Sequence, residues 1–288
     1  MAQTTSQPPT LRHPIADALA ARAPWQPATL TRLLTGISGA VRSVSAAIDG
    51  VERTWHDIVV RSLHETGAIP HEPEAAPLAT PPTGRPPIWV VLGDSTAQGI
   101  GASSLDHGWV PRIETALADA GRRHAVINLS RSGAHSTHVI DEQLPLLDHL
   151  PYAPSLVTIC VGANDLMRNP YPPRLARRLG RLAEAAPAGT IISTLPAPRF
   201  SPTGMHVNRA IRAAAAVHGH LVAELGPHLV GPRKGLSADR FHPNDAGYGA
   251  WVRAFAQPLG IDADLVPLRG TFTSVVRAPA MRGTTASG

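Results

Sequence analysis

Short apolar segments alternate regularly with stretches of helical spacing between residues 88 and 257. The apolar segments are rich in β-branched residues, which is typical of strands buried in a parallel sheet. They cover residues 88–92, 125–129, 156–161, 190–195 and 220–224. Helical spacing covers residues 108–120, 136–149, 172–186, 203–218 and 244–256. This alternation predicts right-handed βαβ units, and therefore an α/β fold with a five-stranded parallel sheet between layers of helices.

The rest of the chain divides into further regions around this α/β domain of residues 88–257. Residues 1–69 are alanine-rich and predict a helical N-terminal extension. Residues 70–87 contain seven prolines, which exclude a continuous helix or a central strand and predict an extended linker. Residues 258–288 are expected to form a loosely packed or disordered C-terminal tail.

One predicted helix of the extension, over residues 37–58, has an apolar seam with heptad spacing. The seam consists of Ile37, Val41, Val44, Ile48, Val51, Trp55 and Ile58. Such a seam needs a cover, and three covers remain open: the α/β domain, self-association with a second chain, and a membrane surface. The opposite face mixes arginines with acidic residues, which argues against a purely basic membrane helix.

The basic residues do not indicate nucleic-acid binding. The formal net charge is +5, and nearly every positive charge is an arginine because Lys234 is the only lysine. The densest basic group lies on one helical face and consists of Arg174, Arg177, Arg178 and Arg181. Since no nucleic-acid-binding motif accompanies them, they predict a solvated helix face, with an anion-binding face as the alternative.

Cysteine content and apolar runs indicate the compartment. Cys160 is the only cysteine and lies in an apolar run, so a buried and inert thiol is expected. The N-terminus has no uninterrupted apolar stretch of signal-peptide length, and no run approaches the length of a membrane span. The sequence therefore predicts a cytoplasmic, soluble protein without a membrane span.

Chemically capable residues follow the predicted strands at their carboxyl ends. Gly93-Asp94-Ser95 follows the first strand, and a turn ending in Gly133 follows the second. Gly162-Ala163-Asn164-Asp165 follows the third, and the segment 239–244 precedes the last helix. Because ligands bind at the carboxyl edge of an open α/β sheet, these segments are expected to converge on one site.

The convergent segments contain the parts of an acyl-transfer site. A serine hydroxyl needs a neighbouring base, and a histidine needs a carboxylate that fixes its tautomer. Asp239 and His242 lie three residues apart in one loop, so a single turn can place the carboxylate beside the imidazole. Ser95 is the candidate nucleophile. The backbone amides of Ser95 and Gly133 and the side chain of Asn164 are candidate donors to the oxyanion.

These segments resemble the motif blocks of the SGNH (GDSL-type) hydrolase family. Gly93-Asp94-Ser95 with Gly99 is similar to the nucleophile block, and Gly133 falls at the oxyanion glycine. Gly162-x-Asn164-Asp165 and Asp239-x-x-His242-Pro243 are similar to the last two blocks. The resemblance covers about residues 88–257. It implies a flavodoxin-like three-layer sandwich and ester or thioester hydrolysis without metal or cofactor.

Each candidate also has a purely structural alternative. Ser95 could cap a helix, and His242 could bond the backbone of its turn. Asp239 could pair with Arg240 or cap the final helix. Asn164 could make a structural loop bond, and Gly133 could serve a turn.

Several neighbouring residues have a supporting role or two alternative roles. Asp94 and Asp165 are interpreted as groups that brace loops. His135 and His138 either line the pocket or occupy surface helix positions. Candidates for an acyl-binding wall, with core packing as the equal alternative, are Trp109, Met167, Phe200 and Met205.

The sequence predicts a serine esterase or lipase-type hydrolase that cleaves small acyl esters through an acyl-enzyme on Ser95. The alternative is an acyltransferase that passes the same acyl group to a sugar or polyol hydroxyl. A non-catalytic binding module that acts through the 37–58 helix is a third hypothesis. An α/β-hydrolase is disfavoured because the chain has no G-x-S-x-G elbow, and a metal hydrolase because the histidines lack metal-ligand spacing.

Overall fold

The computed structural model describes residues 80–81, 83–150, 152–168, 171–197 and 201–270. The predicted helical extension over 1–69, with its seam over 37–58, lies outside the described residues. Most of the predicted linker and residues 271–288 of the predicted tail also lie outside them.

The described residues contain one parallel sheet. Its strands are β1 (Ile88–Gly93), β2 (Ala125–Asn128), β3 (Leu156–Cys160), β4 (Ile191–Ser193) and β5 (Leu221–Ala223). The strand order is β2-β1-β3-β4-β5, and each neighbouring pair is parallel. This is the flavodoxin-like order, so the predicted fold class is confirmed. No strand boundary differs from its prediction by more than two residues.

Helices connect the strands. They are α1 (Ser95–Gln98), α2 (Trp109–Asp119), α3 (Ser136–His138), α4 (Ala163–Arg168), α5 (Pro172–Ala185), α6 (Pro202–Val217), α7 (Pro232–Gly235) and α8 (Asp245–Leu259). Short 3-10 turns cover Leu105–His107 and Gly226–His228. The short helices α1 and α4 lie directly after β1 and β3, where they present the first residues of their turns at the carboxyl edge of the sheet.

The predicted helix over 136–149 is not continuous. After α3 the chain forms a π-helical turn, Val139–Gln143, and then a 3-10 helix, Leu144–His149. Pro145 lies in the first turn of that 3-10 helix, where its missing N–H removes no hydrogen bond. The π turn places the Gln143 side chain against the backbone of Gly93, at the end of β1.

The two faces of the sheet are covered by different helices. Val90 and Leu92 pack on one side with apolar residues of α5 and α6. Trp89 and Val91 pack on the other side with residues of α2 and α8. Because successive strand residues point to opposite faces, the fully buried β1 contributes to both cores and the domain has three layers.

The described chain remains packed beyond residue 257. Helix α8 continues to Leu259, and Val266 is buried against the α2 side of the sheet. Arg112 Nε donates to the carbonyl of Pro267 at 2.8 Å, and the amide of Gly270 donates to the carbonyl of Asp106 at 2.7 Å. Residues 260–270 therefore differ from the loosely packed tail expected from 258 onward. No helix in the described part of the chain is long and apolar enough to cross a membrane.

Candidate active site

The turn after β1 is built around a glycine. Gly93 has φ +142°, and a Cβ there would lie 2.0 Å from the carbonyl oxygen of Cys160. Only glycine fits both the backbone conformation and this close approach. Asp94 then caps α1 by accepting hydrogen bonds from the Thr96 amide at 2.9 Å and the Thr96 hydroxyl at 2.7 Å. Ser95 follows as the first residue of α1, between the ends of the neighbouring strands.

The structure brings Ser95, His242 and Asp239 together in one chain of contacts. The Oγ of Ser95 lies 2.8 Å from Nε2 of His242. The other ring nitrogen, Nδ1, lies 2.5 Å from Oδ2 of Asp239. Both Ser95 and His242 are buried. The histidine therefore uses its two nitrogens for two different partners, which is the arrangement that a general base between nucleophile and carboxylate requires.

Asp239 is held as a carboxylate. Burial on its own would raise its pKa, but the hydrogen bonds from His242 and Ser237 and the amide of Phe241 hold the pKa well below its usual value. The Ser237 hydroxyl donates to Oδ1 at 2.7 Å, and the amides of Phe241 and His242 donate to the same oxygen at 2.8 Å and 2.9 Å. Oδ2 is thus left facing the imidazole.

The loop that carries His242 is fixed on both sides. The Ser237 amide donates to the His242 carbonyl at 2.8 Å, and Leu236 forms an antiparallel bridge with Pro243. Gly101 packs against the loop so closely that a Cβ would lie 2.6 Å from Cβ of His242. Asn244, and not Asp239, caps α8 by accepting from the Gly247 amide at 2.9 Å.

The candidate oxyanion donors follow β1, β2 and β3, which are adjacent in the sheet. In the described part of the chain, neither the Ser95 amide nor the Gly133 amide donates a hydrogen bond to the protein. Nδ2 of Asn164 donates to the carbonyl of Ala134 at 3.0 Å. A carboxamide nitrogen carries two N–H groups, so one remains for a ligand.

Two further carboxyl groups brace the loops, as the sequence interpretation has it. Burial raises the pKa of Asp94 to about 6, although the hydrogen bonds from Thr96 lower it. Asp165 is also buried and accepts from the Ser136 amide at 2.8 Å and the Ser136 hydroxyl at 2.7 Å. Asp165 therefore joins the loop after β3 to the loop after β2.

The three candidates for an acyl-binding wall that the structure describes do not share a site. Trp109 belongs to the core, where it stacks on Phe255 with ring centroids 4.0 Å apart. Met167 and Met205 are exposed, and Phe200 lies outside the described residues. Met205 lines a cavity of about 710 Å³ between α6 and Gly226–Pro227, and Ser95, Asp239 and His242 are not among its lining residues.

Several polar residues that support the loops of the site were not predicted from the sequence. Gln143 clamps the backbone of Gly93 with hydrogen bonds of 2.8 Å and 2.9 Å. Gln98 accepts from the Ser132 hydroxyl at 2.6 Å and so ties α1 to the loop after β2. Ser237 lies two residues before Asp239, and this short separation in sequence was the only signal for the hydrogen bond between them.

Cys160 has the character expected from its apolar surroundings. It is buried between Thr96 and Trp251, and burial raises the pKa of its thiol to about 11. A thiol in that state is a poor nucleophile at neutral pH. Within the described residues, no group of three or more His, Cys, Asp and Glu side chains is placed to hold a metal ion.

Comparison with known proteins identifies the family to which this chain belongs. The family model for the GDSL-like lipase/acylhydrolase family matches residues 91–250, more than half of the chain. The chain belongs to this family. It is therefore a serine ester hydrolase of the GDSL (SGNH) type, as the motif blocks implied.

Relatives of this GDSL-type hydrolase include an esterase with a known sequence and a solved fold. The chain is 30% identical to esterase TesA of Pseudomonas aeruginosa over 166 residues, which are 54% of this chain and 78% of TesA. A crystal structure of TesA matches with a TM-score of 0.53 and 27% identity, and it covers 60% of this chain and 97% of that one. Both similarities therefore cover only part of this chain.

Proposed function

We propose that this esterase hydrolyses carboxylic esters through an acyl-enzyme on Ser95, with His242 as general base and Asp239 as its orienting carboxylate. The observation that carries this proposal is the position of His242, whose two ring nitrogens face Ser95 and Asp239 separately. The depressed pKa of Asp239 supports it, because a permanently ionised carboxylate stabilises an imidazolium.

In the first half-reaction, Oγ of Ser95 attacks the ester carbonyl carbon and passes its proton to Nε2 of His242. The bond between the carbonyl carbon and the alcohol oxygen then breaks. The leaving alkoxide takes the proton back from His242, so the alcohol departs neutral and the acyl group stays on Ser95.

In the second half-reaction, water replaces the alcohol. His242 removes a proton from the water, whose oxygen attacks the acyl carbon. The bond to Oγ of Ser95 breaks, Ser95 regains a proton from His242, and the carboxylic acid leaves.

The negative charge of both tetrahedral intermediates needs donors. We assign the amides of Ser95 and Gly133 and the free N–H of Asn164 to this role. Two observations support the assignment: the two amides have no acceptor in the described part of the chain, and the three residues follow adjacent strands. A prearranged donor of this kind contributes about 10²–10³-fold in rate.

The acyl-enzyme can be tested by competition between water and a second acceptor. Esters with one acyl group and different leaving alcohols should give one constant ratio of methyl ester to free acid in dilute methanol, because all pass through the same intermediate. A ratio that changed with the leaving alcohol would rule out a common acyl-enzyme. Ser95→Ala should form neither product above background.

The same experiment addresses the alternative of acyl transfer to a sugar or polyol. Replacing methanol with glycerol or glucose at millimolar concentration should leave the free acid as the main product if the protein is a hydrolase. A predominant acylated polyol at those concentrations would identify it as an acyltransferase.

A further inference from the structure

The short helix α4 places a cation beside the proposed oxyanion donor. Asn164 and Arg168 are four residues apart in this helix, so they lie on the same face. At a rise of 1.5 Å per residue, they are separated by about 6 Å along the helix axis. A ligand held at Asn164 therefore has Arg168 within the length of a short acyl or alcohol chain.

The Arg168 side chain lies against the loop that carries Gly133. Its Nη1 is 3.5 Å from Nε2 of His135, which directly follows Ala134. Ala134 is the residue whose carbonyl accepts from Asn164. The guanidinium is thus positioned next to the donor loop.

The charge of Arg168 is not neutralised by the residues that the structure describes. None of their carboxylates forms an ion pair with it. The acidic residue of the same helix, Asp165, is buried and accepts hydrogen bonds from Ser136, and it lies 3.9 Å from both Arg178 and His135. Arg168 is therefore an exposed cation that no described carboxylate pairs with.

The histidines near Arg168 carry no negative charge that could neutralise the guanidinium. Burial lowers the pKa of His135 and of His138, the charge of Asp165 raises both, and the charge of Arg168 lowers both. The two imidazole rings have centroids 5.2 Å apart, and His135 is the one that contacts the guanidinium.

We propose that Arg168, supported by His135, forms a subsite for a carboxylate or phosphate group carried by the ester substrate. The inference rests on the proposed function, because Arg168 lies about one helical turn from the proposed oxyanion donor Asn164. Guanidinium binds such groups through paired hydrogen bonds, which gives charge selectivity as well as affinity. The enzyme is thus selective for anionic esters over neutral ones.

Charge-matched ester pairs test this selectivity on the full-length protein. For an anion on the acyl side, 4-nitrophenyl hydrogen adipate is compared with 4-nitrophenyl hexanoate. For an anion on the alcohol side, 4-acetoxybenzoate is compared with its methyl ester. The quantity measured is the ratio of kcat/KM for the anionic ester to kcat/KM for the neutral ester.

Arg168→Gln should lower this ratio by about 10-fold or more for one of the pairs. Arg177→Gln is the matched control, because it removes the same charge from an exposed position on α5. Arg168→Lys should fall between wild type and Arg168→Gln, and thermal melts identify a variant that fails to fold.

Three outcomes are distinguishable. A ratio that Arg168→Gln leaves unchanged for both pairs overturns the subsite. An equal loss in Arg177→Gln also overturns it, because the effect would then be long-range charge alone. Absence of turnover of every ester by the wild-type protein would instead contradict the proposed function.

Discussion

Two Ser–His–Asp clusters in the described part of the chain share residue types and differ in geometry. In the first, His242 stands between Ser95 and Asp239 and touches each with a different nitrogen. In the second, formed by Ser103, His107 and Asp245, both partners crowd one nitrogen. Nδ1 of His107 lies 2.6 Å from the Ser103 hydroxyl and 3.2 Å from the Asp245 carboxylate.

The second cluster cannot pass a proton from serine to histidine to carboxylate. The Ser103 hydroxyl donates its single proton directly to Asp245 at 2.7 Å. The side chains of the second cluster are also more exposed to solvent. His107 and Asp245 are 26% and 45% exposed, whereas His242 and Asp239 are 6% and 15% exposed. A serine, a histidine and an aspartate in contact do not by themselves form a catalytic triad. The histidine must separate its partners, and water must be kept from it.

A structural role fits the second cluster. Ser103 lies in the loop after α1, and Asp245 is the first residue of α8, immediately after the loop that carries His242. The Ser103 amide also donates to Asp245, at 2.8 Å. Carboxylates are favoured at a helix N-terminus, so Asp245 stabilises α8 while it joins the two loops.

The largest expected difference between the clusters is the effect of removing each serine. Ser95→Ala should lower kcat/KM for a 4-nitrophenyl ester by about 10⁴-fold or more, because no nucleophile remains. Ser103→Ala should change it by less than about 3-fold, since Ser103 touches no proposed catalytic group. Steady-state kinetics with both purified variants measures this contrast. Comparable losses of kcat/KM in the two variants would mean that the clusters do not differ in function.

The aspartates should differ almost as much. Asp239→Asn should lower kcat by about 10³–10⁴-fold, because an amide no longer fixes the tautomer of His242 or stabilises its cation. Asp245→Asn should retain nearly full kcat. Far-UV circular dichroism checks that both fold, and a fully active Asp239→Asn would remove Asp239 from the mechanism.

The first cluster should also depend on its proposed oxyanion donor, Asn164. Asn164→Ala should lower kcat by about 10²–10³-fold with little change in KM, because the lost hydrogen bond forms in the transition state. Asn208→Ala is a control that removes another buried carboxamide, one that bonds the backbone of Leu195. It should reduce the melting temperature while preserving kcat, and the opposite pattern would argue against the assignment of Asn164.

The first cluster is readable from sequence, whereas the second is not. Asp239 and His242 are three residues apart, and Ser95 follows a strand whose apolar pattern is local, so spacing alone brings them to one edge. Ser103 and Asp245 are 142 residues apart, and no pattern in either segment signals their contact. The same limit explains why the Gln143 clamp on Gly93 was missed, because it depends on a π turn inside a predicted regular helix.

The smallest predicted effect concerns pH and the second cluster. Burial would raise the pKa of Asp245, but the hydrogen bonds from Ser103 and the charges of His107 and Arg112 lower it below the usual 3.8. A lowered folded-state pKa stabilises the protein above the unfolded value and loses that contribution as the pH falls through the folded value. Because the side chain is half exposed, Asp245→Asn should lower the melting temperature at pH 7 by only about 1–3 °C.

The difference in melting temperature between wild type and Asp245→Asn should therefore shrink as the pH falls below about 4. Differential scanning fluorimetry from pH 3 to pH 7 measures it. A difference that grew on acidification would mean that Asp245 is not stabilised as a carboxylate.

We propose that the first cluster, and not the second, activates its serine. A fluorophosphonate ester reacts covalently with an activated serine hydroxyl, and peptide mass spectrometry locates the adduct. We expect one adduct on Ser95 in the wild type and in Ser103→Ala, and none in Ser95→Ala. An adduct on Ser103, or on any other serine while Ser95 remains unmodified, would contradict it.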